Sequence, residues 1–423
     1  MILEMGVQSS RPSGHLDELL EGASYYADPY PVYIRLRADA PVYWHAPSGI
    51  WLIARYDDAE AVFRSPQQFS NYGFQNAYFE NLRPELRAAS PTLELHGRTL
   101  TLITRDPPAH TRLRRLLQVA FSPKVMQELR PRMQSTVESL LDAVTHEDVV
   151  DFVNALAYPF PAMVIADIMG IPREDRDLFK QVSRNIVHFM CRNNPNVELT
   201  VKFARQADQS LARLRQYLRG LIDARRSQPR DDVISALAWA EFEGDRLGEE
   251  ELLANLVLFL VAGHETTTNL IANGIFLLLR HPEQLQLLRN RREMLAPAIE
   301  EILRFEAPVQ RLRRVVAQDT ELNGVTLPKG EPAEVMVGSA NRDESKWVEP
   351  ERFDIEREPF PNLAFGKGIH FCIGAALARL EATVAFSEVL DRFPKLELAA
   401  DWQPSWATTT NLRTLKALPV KVV

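Results

Sequence analysis

Hydrophobic residues recur along most of the chain at the three- and four-residue spacing of amphipathic helices, while strand-like alternation is confined to short stretches. Residues 28–37 predict a proline-started helix, and residues 41–56 a β-hairpin about Pro47, Ser48 and Gly49. Residues 72–99 are weakly periodic yet carry Phe74, Tyr78, Phe79, Leu82, Leu86 and Leu93, so a long loop with a function is expected rather than disorder. Asp106-Pro-Pro opens a helix with His110 and Arg114 on one face and Leu113, Leu116 and Leu117 on another. Helical spacing continues through residues 125–143, 155–169, 173–190, 201–226 and 233–241.

The longest apolar stretch, residues 250–280, is hydrophobic nearly all round and predicts a buried helix about 45 Å long, enough to cross a domain. Inside it lies a polar island, Ala262 to Asn269, and buried polar groups need partners or a purpose. His281-Pro282 ends this helix, and residues 296–305 form another that contains Glu301 and Arg304. Short strands are expected at 314–322, 325–327 and 335–337, an irregular segment at 341–353, a helix after Gly374 and a terminal strand at 415–423. The expected fold is mainly α with small β-sheets, an α+β class.

Composition narrows the function. The 423 residues are 46% hydrophobic and 25% charged, as in an ordinary globular protein, with no linker, repeat or low-complexity run after Asp28. One domain over residues 1–423 is expected, with residues 1–26 a flexible N-terminal segment. A net charge of −7 argues against a nucleic-acid partner. No run approaches the roughly 20 apolar residues of a membrane span, so no membrane anchor and a cytoplasmic location are expected. Two cysteines, Cys191 and Cys372, build no disulfide framework.

Cys372 lies in a glycine-rich loop, residues 365–374, that runs into a helix. A helix N-terminus favours an anion and lowers a thiol's pKa. Gly366 and Gly368 permit a tight turn, and Gly374 a close backbone approach to the sulfur. A single thiolate suits an axial haem ligand better than a zinc cluster. A lone cysteine is also commonly a small buried hydrophobe, and such loops also bind phosphate. Similarly, His110 and Arg114 alone read as a solvated basic face, and Glu301 and Arg304 as an ordinary helix ion pair.

Phe365, Gly366, Gly368, His370, Cys372 and Gly374 stand at the spacing of the haem-binding loop of the cytochrome P450 family, which the chain resembles in motif order over almost its whole length. The resemblance implies a P450-like fold with haem b between the long helix and the cysteine loop, and Cys372 as the metal ligand. It further implies His110, Arg114, Arg314 and His370 at the haem propionates, with Ala262, Phe365, Gly366 and Gly374 along the cofactor. Glu265 and Thr266 would be the acid and alcohol of oxygen activation, beside Gly263, which would leave room for oxygen. His264 reads as structural, Glu265 could equally hold a structural hydrogen bond, and Thr266 could bond back to its own helix. Glu301 and Arg304 match a structural triad completed by Arg352.

The implied activity is a monooxygenase acting on a hydrophobic small molecule, working as a monomer with NAD(P)H electrons from ferredoxin reductase and ferredoxin. Arg112, Arg115 and Lys124 form the expected docking patch for an acidic ferredoxin, with a merely solvated helix face as the competing explanation. Pocket candidates lie in residues 72–99 and 186–190, at Leu258, Phe259 and Ala262, at residues 309–312 and near Thr409. Arg311 could meet a substrate carboxylate, although a surface or propionate-side position suits it better. A peroxide-driven peroxygenase, a desaturase or coupling enzyme, and a non-catalytic haem protein remain open alternatives.

Overall fold

The computed structural model describes residues 14, 16–72, 84–99, 101–144, 148–175, 181–182, 185–186 and 197–422. Phe74, Tyr78, Phe79, Leu82, Met190, Cys191, most of the helix expected at 173–190 and the side chain of Lys124 lie outside that description.

The order begins α1 (Ala23–Ala27), α2 (Tyr30–Asp39), β1 (Val42–His45), β2 (Ile50–Ile53), α3 (Tyr56–Arg64) and β3 (Phe69–Ser70). Next come α4 (Pro84–Ala89), α5 (Pro91–Arg98), α6 (Ala109–Leu117), α7 (Pro123–Asp142), β4 (Val149–Asp151), α8 (Pro159–Ile168) and α9 (Val197–Ser227). Then follow α10 (Val233–Ala238), the hairpin β5 (Glu241–Phe242) and β6 (Asp245–Arg246), α11 (Glu249–Arg280), α12 (Pro282–Asn290) and α13 (Leu295–Phe305). The chain continues with β7 (Leu312–Val316), β8 (Thr320–Leu322), β9 (Val325–Leu327), β10 (Pro332–Val335) and α14 (Val337–Ala340). It ends on α15 (Ala375–Arg392), β11 (Leu396–Leu398) and β12 (Pro419–Val422).

The main sheet has the order β1-β2-β10-β7-β3, antiparallel except for β2 with β10, where Trp51 faces Ala333. A second sheet, β11-β12-β4, joins the C-terminus to Val149–Asp151. That three-residue strand is too short for alternation to be legible in sequence. The strand expected at 314–322 is broken in two because Thr320 Oγ1 donates to Gln318 O (2.8 Å), turning the chain at Asp319.

Prolines explain two further departures. Pro159 and Pro161 interrupt the helix expected at 155–169, leaving a π-helical turn at Val153–Ala157 in which Tyr158 N–H reaches Val153 O (2.8 Å). Pro84 and Pro91 each open a short helix within the expected long loop.

The long helix α11 is the centre of the core. Its first turn carries Glu249, Glu250 and Glu251, which suit the positive end of the dipole, and Glu251 Oε2 accepts from Gly248 N–H (3.0 Å). Leu252, Leu256, Leu260, Ile271 and Ile275 are buried in one hydrophobic cluster that extends from Val42 to Val420. Gly274 lets α11 approach α13 and α15, since a Cβ there would lie 2.4 Å from Phe386 Cζ. A smaller cluster gathers Leu16, Leu20, Tyr25, Tyr33, Leu36 and Leu52. Of the N-terminal segment expected to be flexible, the chain is thus packed from Leu16 onward.

Candidate active site

The cysteine loop is shaped by its glycines. Gly366 and Gly368 have φ of +66° and +68°, and a Cβ at Gly368 would lie 2.4 Å from the backbone oxygen of Phe63 on α3. Cys372 N–H donates to Phe365 O (3.0 Å), closing the loop two residues before Gly374 caps α15. Arg114 of α6 holds the loop from outside, Nη1 donating to Ile369 O (3.2 Å) and Phe371 O (2.7 Å). A Cβ at Gly374 would lie 3.9 Å from both Cys372 Sγ and Phe121 Cε1, ordinary contact distances. The protein alone therefore does not demand glycine there.

Cys372 is exposed and its sulfur reachable, yet the protein crowding around it raises its thiol pKa, against the pull of the Gly374 N–H, Arg114 and Arg379. The lowered pKa expected from the helix N-terminus is not found, because desolvation outweighs the nearby N–H group and cations. Arg379 stands 4.5 Å over the Phe365 ring and pairs with Glu300 through Nε to Oε1 (2.6 Å) and Nη2 to Oε2 (3.1 Å).

Across from this loop, Phe121 packs edge-on against Phe259 of α11 with ring centroids 5.1 Å apart. At helical spacing, Asn255, Leu258, Ala262, Thr266, Asn269 and Asn273 follow one side of α11. Ala262 is exposed and Leu258 and Thr266 are partly so, within an otherwise buried helix. The asparagines tie this side to neighbouring chain: Asn255 accepts from Leu102 N–H (2.9 Å), while Asn269 and Asn273 donate to Thr414 Oγ1 and Arg413 O, each at 2.9 Å. Thr266 Oγ1 donates to Ala262 O (2.7 Å), the helix back-bond, and Glu265 beside it is buried. His264 is structural, its Nε2 bonding Tyr158 O at 2.9 Å. Gly263 faces α8, where a Cβ would meet Ile165 Cδ1 at 2.8 Å. It therefore serves helix approach rather than room for oxygen.

The third component is a group of basic side chains. His110 and His370 lie with ring centroids 4.3 Å apart, and both Nε2 atoms are buried with no hydrogen-bond partner. Burial first, then Arg114, holds His110 down to about 4. Burial, then His110, Arg314 and Arg114, hold His370 down to about 3. Arg314 is buried over Phe63, donates only to the adjacent Arg313 O (2.7 Å), and enters no ion pair among the described residues. Desolvation lowers it to about 10, partly opposed by Asp106. Two orphaned imidazole nitrogens and the buried Arg314 guanidinium thus converge beside Arg114, whose Nη1 is taken by the loop carbonyls, an arrangement that suits an anion.

A reachable cysteine in a glycine loop, a convergent group of basic side chains and a long helix with Ala262 exposed between Leu258 and Thr266 are together compatible with a buried, anionic cofactor. A sequence model described as Cytochrome P450 matches residues 74–291 and 287–410, and the chain belongs to that family. It is 38% identical to the Cytochrome P450 monooxygenase PikC of Streptomyces venezuelae over 99% of this chain and 96% of that protein. It is 36% identical to the Vitamin D(3) 25-hydroxylase of Pseudonocardia autotrophica over 95% of each. Among solved structures, CYP109E1 from Bacillus megaterium in complex with testosterone superposes with a TM-score of 0.82 at 35% identity, covering 93% of this chain and 99% of that one. The protein is accordingly a P450-type oxidoreductase, and the family's cofactor is haem. The orphaned imidazole nitrogens and unpaired Arg314 are the donors that two buried propionates need, so the residues present fit it.

Other expectations are corrected by the geometry. Glu301 is clasped by Arg304 at 2.7 Å through both Nε and Nη2, but the third arginine is Arg357, with Nε 3.3 Å from Glu301 Oε1. Arg352 points outward to Glu349 and Asp354, and only its carbonyl joins the network. Arg311 is committed within the fold, buried against Glu334 (3.2 Å) and the Tyr25 hydroxyl, rather than on the surface.

The expected docking cations are engaged within the chain. Arg112 is bound by Asp245 and Glu251, and Arg115 lies 3.7 Å from Glu243 and over the Phe242 ring. They project from α6 on a different face from His110 and Arg114. Sequence reading missed Arg379, Arg357, Phe121 and Asn273, and took Asn269 only as the end of the polar island. Only the asparagines left a signal, as repeated polar residues in an apolar helix.

Proposed function

We propose that the protein is a monooxygenase that inserts one atom of O2 into a hydrophobic small molecule and reduces the other to water. For hydroxylation, R–H, O2, two electrons and two protons give R–OH and water. The electrons would come from NAD(P)H through ferredoxin reductase and ferredoxin. The observation that carries this reading is that the buried Nε2 atoms of His110 and His370 have no hydrogen-bond partner among the described residues, with Arg114 and buried Arg314 alongside and an accessible Cys372 nearby.

In this reading Cys372 would hold the iron, His110, Arg114, Arg314 and His370 would hold the propionates, and Ala262, Phe365, Gly366 and Gly374 would line the ring. Bound haem would supply reductive activation of O2, with a thiolate ligand favouring O–O cleavage. The chain would relay protons from solvent. Thr266 Oγ1 donates a hydrogen bond to Ala262 O (2.7 Å), and a rotation about χ1 would turn that hydroxyl to the space beside α11. Buried Glu265, one residue earlier, would pass protons inward to it. The dry surroundings, Leu258, Phe259 and Phe121, would exclude bulk water and suit an apolar substrate.

The names vitamin D(3) and testosterone attached to relatives make a steroid a sensible first probe. The test supplies haem-loaded protein with NADH, a ferredoxin and its reductase, testosterone and isotopically labelled O2. One labelled oxygen in a hydroxylated product, lost in Thr266→Ala, supports the reading. Equal product from peroxide alone would assign a peroxygenase instead, and binding without turnover over a panel of hydrophobic probes would leave a non-catalytic haem protein.

A further inference from the structure

The first-turn N–H groups of a helix need partners, and α5 obtains them from a distant residue. Pro91 contributes no donor, and Ser90, at the N-cap position, turns its hydroxyl back to Leu86 O (2.7 Å). Instead, Thr92 N–H (2.6 Å) and Leu93 N–H (2.9 Å) both donate to Asp208 Oδ1, on α9. Asp208 is 9% exposed, so this is a built contact rather than a solvated one.

Two turns further along the same face of α9, Arg215 donates to His96 Nδ1 (3.4 Å) and pairs with Glu250 of α11. Burial, then Arg215, hold His96 down to about 4, which leaves its ring nitrogen free to accept. Beyond α5, Leu102 N–H is fixed by Asn255 of α11. Asn255 is seven residues from Ala262, about 10 Å along the same side of the helix.

We propose that Asp208 is a positioning residue that holds the α4–α5 segment, residues 84–98, against α9 and α11 beside the substrate space. The proposal rests on the reading above in taking that space as the haem pocket. Its physical basis is the origin of the cap. A local cap would keep α5 helical wherever it lay, whereas a cap from α9 is lost once the segment lifts away. An eight-residue helix is marginal alone, so α5 order becomes conditional on docking. Asp208 therefore controls how often bulky molecules reach the site, without touching the chemistry.

The test compares haem-loaded parent, Asp208→Ala and Asp208→Asn. Amide hydrogen exchange is followed at Thr92 and Leu93, and stopped-flow binding is measured with bulky 4-phenylimidazole and with cyanide. Asp208→Ala should exchange about tenfold faster at those two amides, with 4-phenylimidazole association and dissociation both about tenfold faster and cyanide rates within about twofold. Asp208→Asn keeps an acceptor oxygen and should recover most of both effects.

Unchanged exchange and ligand rates in Asp208→Ala would overturn the proposal. So would faster exchange spread along α9 without any change in ligand rates, since that describes a merely structural residue. Should Asp208→Ala not fold, Asp208→Asn should still show about threefold faster exchange confined to the two amides, and its absence would also overturn it. If the parent gives no absorption change with 4-phenylimidazole, the haem reading fails, while amide exchange still decides whether Asp208 holds α5.

Discussion

Replacing Arg314 with methionine should change stability in opposite directions with and without haem. In the protein chain alone, burial lowers the Arg314 pKa from its ordinary value to about 10. A base whose folded pKa is depressed destabilises the fold wherever both states are charged, and the cost disappears as pH rises from the folded towards the unfolded value. The shift corresponds to about 3 kcal/mol against folding at neutral pH. Removing the charge while keeping apolar volume should therefore raise haem-free stability by about 1–3 kcal/mol, less any packing lost over Phe63. In haem-loaded protein the same change would remove the proposed charge-assisted bond to a propionate and should cost about 1.5–3 kcal/mol. The assay is urea unfolding of both forms at pH 7, with the rate of haem transfer to an apo-globin acceptor as a second readout. Loss of stability to the same extent in both forms, with unchanged haem transfer, would refute the assignment.

Further expectations concern the scaffold and the proton path. Glu301→Gln should destabilise the fold by about 3–5 kcal/mol in thermal unfolding, because Arg304 and Arg357 then lack a buried counter-ion, whereas Arg352→Ala should stay within about 0.5 kcal/mol. Glu381, fully buried on α15 with neither oxygen hydrogen-bonded, has its pKa raised by desolvation. Its folded state keeps a proton that the unfolded chain has released, so stability should fall by about 1.4 kcal/mol per pH unit above the unfolded value until the folded pKa is reached. Urea midpoints from pH 5 to 7 should show that slope in the parent and lose it in Glu381→Gln. Gly368→Ala, which pushes a Cβ against Phe63 O, should abolish haem retention, measured as the haem-to-protein absorbance ratio after gel filtration.

The elements legible in the sequence were those whose cause is local. The long apolar helix, the hairpin around Gly49 and the cysteine loop each carry their own spacing or turn residues, and the structure has them close to where these signals fall. Elements set by distant partners were not legible. Helix α5 depends on Asp208, more than a hundred residues away, and β4 exists only because β12 returns to it. The same distinction runs through the site. His110 and Arg114 declare a shared face by their four-residue spacing, but nothing local shows that Glu301 takes Arg357 rather than Arg352, or that the β5–β6 hairpin has already claimed Arg112. The thiol shift illustrates a balance of opposing effects: the helix end and the arginines act in the expected direction, and burial, which no local motif reveals, outweighs them.

The central claim is that Cys372 binds haem iron as a thiolate. The most direct test is the absorption spectrum of purified protein, ferric and then reduced under carbon monoxide, for the parent and Cys372→Ser. A strongly red-shifted Soret band in the parent carbonyl complex, absent from the variant, is the predicted result. A folded parent that takes up no haem, or whose carbonyl spectrum is of the histidine-ligated kind, would contradict the claim.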